Sequence, residues 1–77
     1  MTISACRKYI EERIYPIAGD CAGVEAEQIL GAALEVSRTF LFAYPEKEIE
    51  PDVQHKITQI TERRAAGEPL QYILGVA

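Results

Sequence analysis

Apolar residues in this chain recur at steps of three and four, and no stretch before the closing run alternates at steps of two. That rhythm builds helices and leaves no strand to pair. Ile3, Cys6, Ile10, Ile14 and Ile17 mark one face of a first helix from about Thr2 to Tyr15, with Thr2 as its N-cap. Pro16 restricts Tyr15 and is expected to end it, with Pro16 to Gly23 as a loop. Ala26, Ile29, Leu30, Ala33 and Leu34 form the stripe of a second helix, about Val24 to Glu35. Glu25 and Glu27 lie in its first turn, where the helix dipole favours negative charge. Gly31 in mid-helix costs about 1 kcal/mol against alanine, so close helix packing is expected there.

Ser37 can cap a short third helix from about Arg38 to Ala43, which Pro45 ends. Phe40, Leu41 and Tyr44 are expected to feed the core, and Tyr72 is assigned there as well. A charged loop follows, with Ile49 as its anchor. Pro51 suits the first turn of a fourth helix, in which Val53, Ile57 and Ile60 face inward. Arg63 and Arg64 fall in its last turn and Gly67 just after it. Pro69 can open one more helical turn through about Tyr72. The fold class is all-α: a small bundle of four to five helices with a C-terminal linker stub. A helical domain is expected over 1–68, and the start of a linker over 69–77.

A chain of 77 residues supports one small core. Its net charge of −4 repels phosphate backbones, so a nucleic-acid module is not expected. No apolar stretch is long enough to span a membrane. Cys6, Cys21 and His55 are too few for a four-ligand zinc site, so no metal is expected. The two cysteines read as buried thiols in a reducing cytosol. His55 reads as a solvated surface residue, with nothing nearby in sequence to orient it as a base. Arg63 and Arg64 can meet an acidic partner or simply offset the dipole at a helix end. Arg38 follows an N-cap, where the dipole disfavours a cation. That makes it a partner-binding candidate, although a salt bridge to a nearby glutamate explains it equally well.

Two stretches carry a resemblance. "EAEQILGAALEVSRTFLFAYPE" and "ITERRAAGEPLQYILG" resemble the N-terminal domain of the HemK/PrmC-type methyltransferases. The specific part holds Arg63, Arg64, Gly67, Glu68, Pro69, Tyr72 and Gly75 in the family order. Glu25 stands where the family often has Asp, and Glu35 where it often has Gly. Residues 1–23 contribute little. The resemblance implies a cytoplasmic parent enzyme that methylates the glutamine of the Gly-Gly-Gln motif in peptide chain release factors, using S-adenosylmethionine. Its cofactor site and Asn-Pro-Pro-Tyr motif belong to a Rossmann-like domain downstream, and this chain has no asparagine. The expectation is a domain with no catalytic or cofactor-binding residue, inactive alone, that helps to hold the release factor beside its own catalytic domain. Leu70, Ile73, Leu74 and Val76 would begin the connection to it. A free-standing helical interaction module and a purely structural cap remain open readings.

Overall fold

The computed structural model describes residues 1–75 and holds five α-helices: α1 Ile3–Ala18, α2 Ala22–Leu34, α3 Arg38–Ala43, α4 Pro51–Ala65 and α5 Leu70–Leu74. A 3-10 turn, Gly19–Cys21, joins α1 to α2. The all-α bundle is as the apolar spacing predicts, and no strand occurs among the described residues.

α1 runs past its expected end, with Pro16 inside it. Proline there removes one intrahelical donor, to the carbonyl four residues earlier. That residue, Glu12, is exposed, and so is Pro16. The unmatched carbonyl can be solvated, and the helix gains one more turn. Gly19, at φ 58°, then ends it and donates its N–H to the Tyr15 carbonyl. The stripe of α1 buries Ile3, Cys6, Ile10 and Ile14, but Ile17 is exposed, contrary to the periodic expectation. α2 starts at Ala22, two residues earlier than expected, because the short turn leaves almost no loop.

The start of α1 shows where a helix's orphan donors go. The Ala5 N–H donates to Thr2 Oγ1 at 3.1 Å. The Ile3 N–H donates to the Lys47 carbonyl and the Ser4 N–H to the Pro45 carbonyl, each at 2.9 Å. Ile49 donates back to the Met1 carbonyl at 3.0 Å. The charged loop after α3 therefore caps α1 from outside, through one isolated antiparallel bridge between Thr2 and Glu48. Ile49 is buried and anchors it, as expected.

α1, α2 and α4 pack mutually and enclose the core. α2 contributes Ala22, Ala26, Ile29, Leu30 and Ala33; α3 contributes Leu41; α4 contributes Ile57. Val53, Ile60, Phe40, Leu34 and Leu70 pack around that centre, partly buried. Thr61 is fully buried too, its hydroxyl donating to the Ile57 carbonyl at 2.7 Å. Tyr44 and Tyr72 are exposed, against the expectation that they feed the core. Gly31 has its close approach within its own chain reversal: a Cβ there would lie 3.1 Å from the Val36 carbonyl oxygen. Both cysteines are free; Cys6 is buried, whereas Cys21 is exposed, which corrects the reading of both as buried thiols. Burial raises the Cys6 thiol above its usual range.

Candidate functional site

Two clusters of charged side chains stand out, and α2 supplies an acid to each. Glu25 and Glu27 are two residues apart, so on a helix they point to different sides.

The first cluster is an elbow between α4 and α5. Gly67 has φ 104°, a conformation only glycine adopts without strain. Its N–H donates to the Arg64 carbonyl at 3.0 Å, and the Glu68 N–H donates to the Arg63 carbonyl at 3.3 Å. This pair of bonds is a Schellman cap. Such caps usually add a hydrophobic contact between the two outer positions. Here an ion pair takes that place: Arg63 Nε and Nη2 donate to the Glu68 carboxylate at 2.7 and 3.2 Å. The guanidinium holds the Glu68 carboxyl below the usual glutamate range.

Arg64 does more. Its Nε and Nη2 donate to Glu25 at 2.6 and 3.2 Å, and its Nη1 donates to the Glu68 carbonyl at 3.1 Å. Both partners are largely shielded, at 15% and 16% side-chain exposure. The pair ties the end of α4 to the start of α2, where each charge also suits its helix dipole. Pro69 then sets the extended entry to α5, and Gly75, at φ 70°, closes it. α5 contacts both α4 and α2. Leu70 leans on the core, and Leu74 lines a groove of about 590 Å³ beside Glu25, Gln28 and Arg64. Tyr72 is 82% exposed. Val76 lies outside the described residues.

The second cluster lies between α1, α2 and α3. Glu27 is buried; it accepts a hydrogen bond from Arg7 Nη2 and forms an ion pair with Arg38 Nε, both at 2.8 Å. Arg7 also pairs with Glu11 at 3.0 Å. Both guanidiniums sit over the Phe42 ring, 5.8 Å away for Arg7 and 5.5 Å for Arg38. That is cation–π range. Phe42 itself is exposed. Sequence reasoning singled out Arg38 and missed Arg7, Glu27 and Phe42. The available signal was Glu27's place one turn before Leu30 and Gly31, at the edge of the apolar stripe.

A third tie, not foreseen, joins α1 to α4. Arg13 donates to both oxygens of Glu62 at 2.9 and 2.7 Å, and the Tyr9 hydroxyl donates at 3.2 Å. The Arg13 hydrogen bonds lower the Glu62 pKa. Tyr9 is raised, first by desolvation and then by the Glu62 charge. His55 is exposed. No group of three or more His, Cys, Asp or Glu among the described residues could hold a metal. None of the described helices is long and apolar enough to cross a membrane.

The structure thus brings together Arg63, Arg64, Gly67, Glu68 and Pro69, and sets Arg38 in a separate cluster. Bundle and elbow define a small all-α domain whose end helix packs on α4 and α2 beside the elbow. The chain belongs to the PrmC N-terminal domain family, whose sequence model matches residues 5–75. It is 33% identical over 75 residues to the release factor glutamine methyltransferase of Coxiella burnetii, covering 97% of this chain and 27% of that protein. To the protein of the same name from Koribacter versatilis it is 42% identical over 52 residues, 68% of this chain and 19% of the relative. The Vibrio cholerae protein of that name is 32% identical over 75 residues, 97% of this chain and 26% of its own length. The chain therefore spans about a quarter or less of the length of these relatives. No solved structure matches it.

Proposed function

We propose that this chain is the substrate-positioning domain of a release factor glutamine methyltransferase. It holds the release factor while a separate Rossmann-like domain transfers methyl from S-adenosylmethionine to the target glutamine. The carrying observation is the family match across residues 5–75, aligned with relatives of that name over only a fraction of their length. The elbow supports the same reading. Arg63, Arg64, Gly67, Glu68 and Pro69 fix the direction in which α5 and Gly75 leave the bundle, as an orienting domain requires. Contacts remote from a reacting atom supply binding and orientation without joining the reaction. A second contact patch on one protein substrate also raises affinity through effective concentration.

The test is kinetic. In a release factor glutamine methyltransferase carrying this domain, deleting residues 1–68 raises KM for the release factor by about tenfold or more. KM for S-adenosylmethionine stays within about twofold. Equal loss toward both substrates would make the domain a structural cap and end the positioning reading.

A further inference from the structure

The three arginines singled out in the sequence differ in what their guanidiniums still have to offer. Arg63 spends Nε and Nη2 on Glu68. Arg64 spends Nε, Nη1 and Nη2 on Glu25 and the Glu68 carbonyl. Arg38 makes no side-chain hydrogen bond among the described residues; it forms an ion pair with Glu27, its Nε 2.8 Å from the carboxylate. Its two Nη groups donate no hydrogen bond among the described residues, and its side chain is 71% exposed. An exposed arginine is usually loose, and ordering it costs side-chain entropy on binding. Arg38 is placed already: its guanidinium is paired with a buried carboxylate and lies over the Phe42 ring. The Nη groups left without a hydrogen bond form a planar fork of the kind that takes a carboxylate.

Arg38 also rims a groove of about 400 Å³. Val24, Val36 and the thin surface of Gly31 and Ala32 line it. Val24 is 55% exposed and Phe42 57%. An exposed aromatic, an arginine and an apolar recess side by side have the composition of interface anchors.

We infer that Arg38, braced by Glu27 and Phe42, docks an aspartate or glutamate of the protein substrate, with a neighbouring apolar side chain of that substrate seated between Val24 and Val36. This rests on the positioning role proposed above and names the surface that performs it. The occupant follows from the charges. The fork's open edge is cationic, and the Glu27 charge beneath it is buried between two arginines. A phosphate-rich polymer would meet the repulsion of a chain of net charge −4 along its whole length. A single carboxylate on a folded protein meets it far less. A single short-range contact changes dissociation more than encounter, so the fork acts mainly on the off-rate.

The experiment measures binding kinetics of the 77-residue chain on an immobilised, purified bacterial peptide chain release factor. Arg38→Ala and Arg38→Lys each weaken binding about tenfold, mostly through faster dissociation; lysine keeps the charge but loses the fork. Val24→Glu weakens it similarly, and substitution at so exposed a position leaves the fold intact. Lys47→Ala removes a charge from an exposed loop and changes affinity less than about twofold. Binding with unchanged off-rates in the Arg38 and Val24 variants would overturn this surface and leave the positioning role standing. No binding by the wild-type chain would end the positioning role itself, and this inference with it. Dimers of the chain that dissociate in Arg38→Lys would assign the groove to a second copy and overturn the proposal.

Discussion

Glu35 sits at φ 57° and ψ 47°, the left-handed region, at the end of α2. It is the only non-glycine residue with positive φ among those described. An L-residue there costs roughly 1–2 kcal/mol, while glycine adopts it freely but loses more chain entropy on folding. The side chain is exposed and takes part in no described hydrogen bond or ion pair, so nothing offsets the strain. Glu35→Gly should stabilise the chain by about 0.5–1 kcal/mol. A urea melt with an unchanged m-value checks it, and Tm should rise by several degrees. A fall in stability would mean the αL turn is not formed. The departure was visible as a glutamate where the related family often has glycine; its meaning was not, because a dihedral angle leaves no mark in periodicity. Thr61 and Glu27 were hidden for a different reason. Pattern reading sends polar residues outward, and each of these is buried by a local partner or by charges from other helices.

At the scale of elements, periodicity revealed which segments are helical but not how they are tied. Arg64 illustrates this: dipole compensation alone accounts for an arginine at a helix end, so its reach to Glu25 on α2 could not be read from spacing. Arg64→Ala should cost about 1–2 kcal/mol, since it removes three charge-assisted donors and leaves Glu25 largely shielded without its arginine. Arg64→Lys should recover only part of it, lacking the second donor arm. Gly67→Ala should cost about 1 kcal/mol by strain at φ 104°, with open space around the new methyl. If it proved neutral, the Schellman geometry would be wrong. The two exposed ties, Arg13–Glu62 and Arg63–Glu68, set a pH response. Their carboxyls titrate below the usual range in the fold. A lowered carboxyl pKa adds stability above the unfolded value, about 4.3, and that contribution is lost as pH falls through the folded value. Tm should therefore be lower at pH 3 than at pH 6. Glu62→Gln should flatten that slope; an equal slope in the variant would assign the acid sensitivity elsewhere.

Across the whole molecule, burial is unevenly shared. α1, α2 and α4 hold nearly all the fully buried side chains, and α5 holds none. Leu70 touches the core only in part. The apolar closing run was legible as an unpaired surface, but its attachment was not, because that depends on Arg64 and Gly67 rather than on the run itself. The fold therefore predicts two levels of stability in one chain. Amides of α5 should lose hydrogen-exchange protection by local opening, well below the global unfolding free energy, while those of α1, α2 and α4 exchange only with the whole bundle. Truncation after Glu68 should leave a cooperative three-helix core, weakened by about 1–2 kcal/mol for the lost half-burial of Leu70 and its neighbours. Arg64→Ala should speed exchange in α5 more than in α1, because it unlatches the elbow and leaves the core contacts in place. Were α5 protected as strongly as α1 in both proteins, the end helix would be part of the cooperative core. The elbow could not then be what holds it, and Arg64 would not set the direction in which the chain leaves the bundle.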